Sequence, residues 1–317
     1  MRPSKSKRSR VPTVRISSAG RLASGRNARN RNFIRIRSAR ASRDRGRRSL
    51  PFLVAALALL LCACATPSQH FSDEAKTLGF ASGNLDGEGF RHVVYFAQID
   101  RAADALHVYV EHDGTPWIGV ARVSDDPTPR TPFALELMAR DHGPRLFLGR
   151  PCYFEGRRDS GCSARMWTQR RYAPEVVASM AAALQAFLAK HPYGNVVLIG
   201  YSGGGTLAWL LASRVPQTTA VVTIAANLDT QAWTTLHDYS PMNGSLDPVR
   251  EPALPKSISH VAYVGGRDTN VPPTIVRSFA ANHPEAKVIE IGTFDHTCCW
   301  IERWPELLNA ALASRSR

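Results

Sequence analysis

Short apolar runs of strand length alternate with segments of helical periodicity from residue 89 to the end of the sequence. The predicted strands span residues 90–98, 106–111, 145–149, 195–200, 220–225, 260–264 and 287–291. The predicted helices span residues 132–140, 174–190, 206–214, 274–281 and 300–313. Strands of a parallel sheet are buried on both faces, so they form continuous apolar runs between helices. The pattern therefore predicts an α/β fold with a mostly parallel central sheet and helices on both faces.

The segment before this domain has the composition of a bacterial export signal. Its apolar core, residues 50–61, is shorter than the roughly 20 residues that span a bilayer. The sequence LCAC at residues 61–64 resembles a lipobox. In that interpretation residues 49–64 are the signal and lipobox, Cys64 carries a lipid anchor to the membrane, and residues 65–88 are a tether or lead-in. The mature protein is then expected in the cell envelope, on the periplasmic side or at the outer membrane. The alternative is an ordinary signal peptide and a soluble periplasmic or secreted protein.

Positive charge is concentrated in residues 1–48, ahead of the apolar run. Residues 1–50 carry 17 Lys and Arg side chains and one acid, whereas the remaining 267 residues carry 23 basic and 25 acidic ones. The net charge of +14 therefore comes from this leader, and no nucleic acid is expected to bind the mature domain. The leader is either the product of a start codon assigned too far upstream or a disordered basic arm that contacts RNA or anionic lipid.

Six cysteines are present, two of them in the lipobox. The other four are Cys152, Cys162, Cys298 and Cys299, and an even number in an exported protein favours disulfides. Cys152 and Cys162 close a short loop and are the expected pair. Cys298 and Cys299 are adjacent, so a bridge between them would be a strained vicinal disulfide. Neither a metal nor a cofactor is expected, because no ligand spacing typical of zinc is present.

The strongest chemical motif is the sequence GYSGG at residues 200–204, which matches G-x-S-x-G. It directly follows a predicted strand and precedes a predicted helix, the context in which such a turn exposes a nucleophilic serine. Ser202 is therefore the candidate nucleophile, and the N–H of Gly203 is a candidate oxyanion donor. The alternative is an ordinary tight turn. A phosphate-binding loop is excluded because the Lys-Ser/Thr pair is missing.

With this motif in place, residues 89–317 resemble the α/β-hydrolases, which implies a triad in the chain order serine, acid, histidine. The sequence GGRDTNVP at residues 265–272 resembles the acid loop of that family, which makes Asp268 the candidate acid. Asp229, after the preceding strand, is the alternative. His296 is the single histidine on the loop after the last predicted strand, and it is the candidate base.

The resemblance also implies a second oxyanion donor on the loop after the strand at residues 106–111. The sequence HDG at residues 112–114 resembles the His-Gly loop of esterases, so the N–H of Asp113 or Gly114 is expected to serve. Two longer loops frame the site. Residues 153–172 are rich in arginine, interpreted as a solvated face, with attraction of an anionic substrate as the alternative. Residues 232–255 lie where the family inserts its lid, and are short and polar.

These residues predict a serine hydrolase that cleaves small-molecule carboxylic esters through an acyl-enzyme. Thioesterases, amidases and peptidases use the same triad, and the motifs do not separate them. The alternative from another class is a non-catalytic envelope lipoprotein that uses the hydrolase scaffold for binding. A scaffold has no need to keep all three triad residues, which favours the enzyme.

Overall fold

Residues 65–99, 103–119, 121–154 and 159–313 are described by a computed structural model of the chain. The predicted basic leader, the signal segment and the lipidation site Cys64 lie outside the described residues. The strands are β1 Ala81–Asp86, β2 Arg91–Ala97, β3 Ala105–Val110, β4 Trp117–Ile118, β5 Arg122–Val123, β6 Arg145–Leu148, β7 Asn195–Tyr201, β8 Thr218–Ile224, β9 Ser259–Gly265 and β10 Ala286–Ile291.

Eight of these strands form one sheet in the order β1-β2-β6-β3-β7-β8-β9-β10, and β4 pairs with β5 separately. Strands β6, β3, β7, β8, β9 and β10 run parallel to one another, whereas β2 and β1 join one edge in antiparallel pairs. All seven predicted strands are present, with ends shifted by two residues at most. The mostly parallel sheet predicted from the apolar runs is therefore confirmed.

The helices are α1 Pro67–Thr77, α2 Phe133–Ala139, α3 Pro174–Lys190, α4 Gly203–Ala212, α5 Thr230–Leu236, α6 Pro273–Asn282 and α7 Trp300–Ala313. Helix α3 has the predicted bounds, with proline in its first turn, where a missing N–H costs nothing. Helix α4 begins three residues before the predicted start at residue 206. Within the described part of the chain, no helix is both long and apolar enough to cross a membrane.

Helices cover both faces of the sheet, as two side chains of β9 demonstrate. Tyr263 donates a hydrogen bond of 2.7 Å from its hydroxyl to the carbonyl of Leu307 in α7. His260 packs its ring edge-on against Phe279 in α6, with 5.8 Å between ring centroids. Residues three apart on a strand point to opposite faces. Helices α6 and α7 therefore lie on opposite sides, and the sheet is enclosed between them.

The tether expected at residues 65–88 is instead part of the folded domain. Helix α1 buries Phe71 and Ala75 on one side, and β1 pairs with β2 along its whole length. The Phe71 ring lies 4.8 Å from the ring of Phe154 and 5.4 Å from that of Phe147, centroid to centroid. The i, i+4 spacing of the buried pair and the Thr66 cap before Pro67 are helix signals that the polar composition concealed.

Both candidate cysteine pairs are joined in the structure. Cys152 and Cys162 form a disulfide with 5.3 Å between their Cα atoms, a separation ordinary for such bonds. This bond is the one expected from the sequence. Cys298 and Cys299 are also joined, across a cis peptide bond.

A buried histidine should make the stability of the fold depend on pH. His92 donates from Nδ1 to the carbonyl of Gly149 and accepts from the Ser179 hydroxyl, each over 2.8 Å, and burial lowers its pKa to about 4. Below pH 6.5 His92 takes up a proton in the unfolded chain, whereas in the folded protein it stays neutral down to about pH 4. The free energy of unfolding should therefore fall across that window, by up to about 3 kcal/mol.

Urea unfolding of the wild type and of His92→Gln at several pH values measures this term. The variant should lose less stability than the wild type as the pH falls from 6.5 to 4. His70→Gln, at an exposed position of α1, should match the wild type. Equal pH dependence in the wild type and His92→Gln would contradict the prediction.

Candidate active site

Ser202 lies in the turn between β7 and α4, at the carboxyl end of a central strand. Its backbone has φ 53° and ψ −125°, a conformation that residues other than glycine rarely adopt and that is typical of strained functional turns. The turn is tight because two glycines face each other: a Cβ on Gly200 would lie 2.2 Å from the carbonyl oxygen of Gly204. Glycine alone permits this approach, so the helix starts directly after the serine.

The structure brings the three predicted triad residues into one hydrogen-bonded chain. His296 Nε2 lies 3.2 Å from Ser202 Oγ, and His296 Nδ1 lies 2.8 Å from Asp268 Oδ2. Asp268 is buried, and its Oδ1 accepts from the backbone N–H groups of Asn270 and Val271, both at 2.8 Å. Because the carboxylate accepts at both oxygens, the proton between the pair lies on Nδ1. His296 Nε2 is then free to accept the hydroxyl proton of Ser202.

The loop that carries His296 is held at its backbone. Tyr201 and Trp300 both donate to the His296 carbonyl oxygen, over 3.0 and 3.2 Å. Asp295 closes the loop by accepting from two backbone N–H groups of the residues that follow His296. An imidazole anchored in this way needs little reorganisation to exchange a proton.

Asp229, the alternative acid, has another place in the fold. Its Oδ1 caps α5 by accepting from the N–H of Ala232 at 2.9 Å, and its Oδ2 accepts from the Ser278 hydroxyl at 2.5 Å. Both carboxylate oxygens are thus engaged away from the imidazole. The structure pairs His296 with Asp268 and does not bring Asp229 to it.

The three candidate oxyanion donors differ in what their N–H groups contact. The N–H of Gly203 stands at the N-terminus of α4, where a helix leaves its first amides unpaired. The N–H of Gly114 donates to His112 Nδ1 over 3.0 Å. The N–H of Asp113 has no acceptor among the described residues. Of the two donors expected after β3, the geometry therefore favours Asp113 over Gly114.

His112 and Glu111 fix the shape of the loop that carries these donors. Burial lowers the pKa of His112 to about 4, so its ring is neutral near pH 7. Since Nδ1 accepts from Gly114, Nε2 carries the proton and donates to the carbonyl of Thr131 over 3.1 Å. The Glu111 carboxyl accepts from the N–H groups of His112 and Ala134, and burial raises its pKa to about 8.

The Asp113 carboxylate lies in a buried cluster of charges that the sequence analysis did not predict. It accepts from Arg150 Nη1 at 2.7 Å, from Arg171 Nη1 at 2.9 Å and from the Tyr172 hydroxyl at 2.5 Å. Burial alone would raise the pKa of this carboxyl, but Arg171 and Arg150 together hold it below its ordinary value. The carboxylate also lies close to the turn at Ser202, because a Cβ on Gly203 would lie 2.2 Å from Asp113 Oδ1.

Ser202 and His296 line a pocket with a volume of about 930 Å³. Its lining is mostly polar but includes five aromatic side chains, those of Trp117, Phe133, Tyr201, Trp233 and Tyr239. Phe133 and Tyr201 stack with 3.9 Å between ring centroids. A cavity of this size that combines aromatic and polar side chains suits a small organic molecule. Among the described residues, no group of three or more His, Cys, Asp or Glu side chains is placed to hold a metal ion.

The loop predicted at residues 232–255, in the position of a lid, contains structure of its own. It includes most of α5 and a short 3₁₀ helix at Pro248–Arg250. Trp233 and His237 both bond to the carbonyl of Asn270, over 2.9 and 2.7 Å. These bonds tie the aromatic wall of the pocket to the loop that carries Asp268.

Comparison with known families agrees with this architecture. A model of the alpha/beta hydrolase fold matches residues 157–272, a segment that contains Ser202 and Asp268 and ends before His296. The sheet order extends the likeness beyond that segment, because it includes strands on both sides of it. The protein has the α/β-hydrolase fold. The fold predicted from the sequence is thus confirmed.

Two solved structures illustrate how far the likeness of this chain to other proteins extends. A bacterial membrane phospholipase A superposes with a TM-score of 0.53 at 13% identity, over 85% of this chain and 98% of that one. A puromycin-hydrolyzing peptidase from Mycobacterium tuberculosis superposes with a TM-score of 0.54 at 17% identity, over 74% of this chain and 38% of that one. Our chain therefore spans less than half of the peptidase. No curated protein matches significantly, and at these identities the likeness is one of fold.

Proposed function

We propose that the protein is a serine hydrolase that cleaves carboxylic esters through an acyl-enzyme. The observation that carries the proposal is the hydrogen-bonded chain from Ser202 through His296 to Asp268, of which Ser202 and His296 line the pocket. The strained backbone of Ser202 supports it, because such strain is typical of exposed nucleophiles and is costly for an ordinary turn.

In the first half of the reaction, Ser202 Oγ attacks the ester carbonyl carbon while its proton passes to His296 Nε2. The carbonyl oxygen takes the negative charge and accepts hydrogen bonds from the N–H groups of Gly203 and Asp113. Asp268 keeps the ring in the reactive tautomer and stabilises it once it is charged. Collapse of the intermediate expels the alcohol, which leaves with the proton from His296.

In the second half, water attacks the acyl-enzyme carbonyl and gives one proton to His296 Nε2. The tetrahedral intermediate uses the same two N–H groups. Its collapse releases the carboxylic acid and returns the proton to Ser202 Oγ. No electron transfer is involved, so the three triad side chains and the two N–H groups are sufficient for both halves.

Thioesters, amides and peptides are the alternative substrates, because the same three residues serve all of them. Membrane phospholipase and peptidase activities both occur on this fold, as the two similar structures illustrate. We place carboxylic esters ahead of amides and peptides because an alcohol leaves more readily than an amine. Thioesters stay the alternative, because a thiol leaves at least as readily as an alcohol. A panel of p-nitrophenyl esters and acyl thioesters of graded chain length ranks these classes.

Covalent labelling with a fluorophosphonate probe tests the nucleophile directly. The wild type should be labelled with a single adduct on Ser202, and Ser202→Ala should give none because the attacking oxygen is gone. Ser240 also lines the pocket, so Ser240→Ala is the matched control and should be labelled like the wild type. Folded wild-type protein that takes no label would favour a non-catalytic binding scaffold.

A further inference from the structure

Arg171 is buried at the pocket but keeps one nitrogen open. Its side chain is 9% exposed, and it lines the same pocket as Ser202. Nε donates to the carbonyl of Thr168 over 2.8 Å, and Nη1 donates to Asp113 over 2.9 Å. Nη2 has no hydrogen-bond partner among the described residues, yet it is not one of the fully buried unpaired atoms. Nη2 is therefore the terminal nitrogen of Arg171 that no group in the described part of the chain occupies.

The cluster around Arg171 carries an excess of positive charge. Two guanidinium groups, on Arg150 and Arg171, face the single carboxylate of Asp113. The nearby Glu111 carboxyl does not offset the second cation, because burial raises its pKa to about 8. Buried charge without a full complement is costly. A cluster with one surplus positive charge and one open donor therefore suits a singly charged anion.

We propose that Arg171 binds a carboxylate on the substrate, so that the preferred esters are those of carboxylate-bearing acids or alcohols. The inference rests on the proposed ester hydrolase function and names its substrate class. The carboxylate would bind close to the reacting bond, because Asp113 bridges Arg171 to Gly203 at the nucleophile turn. The proposal also revises the interpretation, made from the sequence, of Arg171 as part of a solvated face.

A singly charged carboxylate fits better than a phosphate. Arg150 directs Nη1 to Asp113 and Nη2 to the carbonyl of Glu111, so both of its terminal nitrogens are engaged, and it is not among the pocket residues. Phosphate groups are usually bound by several donors at once, whereas this site offers one nitrogen. The surplus of one positive charge also matches a monoanion.

The test compares pairs of substrates that differ in one charged group. On the acyl side, p-nitrophenyl monoesters of adipic and pimelic acids are paired with the hexanoate and heptanoate esters. On the alcohol side, 4-carboxyphenyl acetate is paired with 4-carbamoylphenyl acetate. In the wild type, kcat/KM should favour the anionic member of at least one pair by about tenfold, a ratio typical of one charge-assisted hydrogen bond. Equal rates in every pair would overturn the proposal.

The ratio within each pair is then measured in Arg171→Gln, Arg171→Lys and Arg170→Gln. It should fall to about one in Arg171→Gln and lie between the two values in Arg171→Lys, which keeps the charge. Arg170, which directly precedes Arg171, pairs with Glu175 and is not among the pocket residues. Arg170→Gln should therefore keep the wild-type ratio. Because each ratio comes from one preparation, a reduced folded fraction does not change it. An unchanged ratio in Arg171→Gln would also overturn the proposal.

A binding measurement on the wild type separates this inference from the proposed function. Calorimetry with benzoate and benzamide needs neither a variant nor turnover, and benzoate should bind at least about tenfold more tightly. If benzoate binds but no ester is cleaved, the ester hydrolase proposal fails and the carboxylate site stands. If neutral esters are cleaved and benzoate shows no advantage over benzamide, the carboxylate site fails alone.

Discussion

Replacing Asp268 by asparagine should lower kcat on ester substrates by about 10⁴-fold while the protein stays folded. The carboxylate accepts from His296 Nδ1 and from two backbone N–H groups. An asparagine can direct its single oxygen to the backbone or to the imidazole, but not to both. If its NH₂ group faces the ring, the proton moves to Nε2, and His296 no longer accepts the Ser202 proton.

Asp229→Asn is the matched control, because Asp229 is also a buried aspartate that follows a strand of the same sheet. It accepts from Ala232 and Ser278 rather than from the imidazole. This variant should lose stability, by about 1 kcal/mol through its weakened helix cap, and keep kcat within a few-fold. Steady-state kinetics with urea unfolding distinguishes the two effects. If Asp229→Asn loses kcat and Asp268→Asn does not, the acid has been assigned to the wrong residue.

The fold was predictable because most strands of the parallel sheet meet the same physical requirement, burial on both faces. Strands such as 195–200 are buried on both faces, so each is a short apolar run between amphipathic segments. The turn at Ser202 was predictable for a similar reason, since a strand and a helix can meet this closely only at glycines. Local rules of this kind depend on neighbouring residues, which a sequence displays directly.

The juxtaposition of Asp268 and His296 with Ser202 was predicted through resemblance, because the chain order of a known family supplied what local patterns lack. The structure places them together, and their roles in catalysis stay a prediction. Helix α1 was missed although its cap and its buried Phe71 were visible, because the segment as a whole is polar. The low mean hydropathy of Pro67–Thr77 concealed the contribution of Phe71, which packs into the core.

The charged cluster at Asp113 could not be predicted from the sequence, for a different reason. Arg150, Arg171 and Tyr172 lie 37 or more residues away from Asp113 along the chain, and arginines in polar loops ordinarily stay solvated. Only the packing of the loop before α3 against the end of β3 turns these arginines inward. Their spacing has no period and matches no motif. Buried ion pairs between loops are therefore found from structure and not from pattern.

Replacing Gly204 by alanine should lower the free energy of unfolding by about 3 kcal/mol or more. A Cβ at this position would lie 2.2 Å from the carbonyl oxygen of Val110 and 2.6 Å from that of Glu111. Both are backbone atoms, at the end of β3 and the start of the loop that carries Asp113. Alanine favours helices by about 1 kcal/mol over glycine, but this gain is smaller than the cost of moving a central strand.

The matched control for this substitution is Gly194→Ala. Gly194 is exposed just before β7, and a Cβ there would have no atom within 4 Å. This variant should be as stable as the wild type, or more stable by up to about 1 kcal/mol, because alanine restricts the unfolded chain. Urea unfolding compares the three proteins. Any Gly204→Ala that folds should also lose kcat, since β3 can yield only by displacing the Asp113 N–H from the oxyanion. A Gly204→Ala protein with wild-type stability and activity would mean that α4 and β3 are not in the close contact on which the proposed oxyanion site depends.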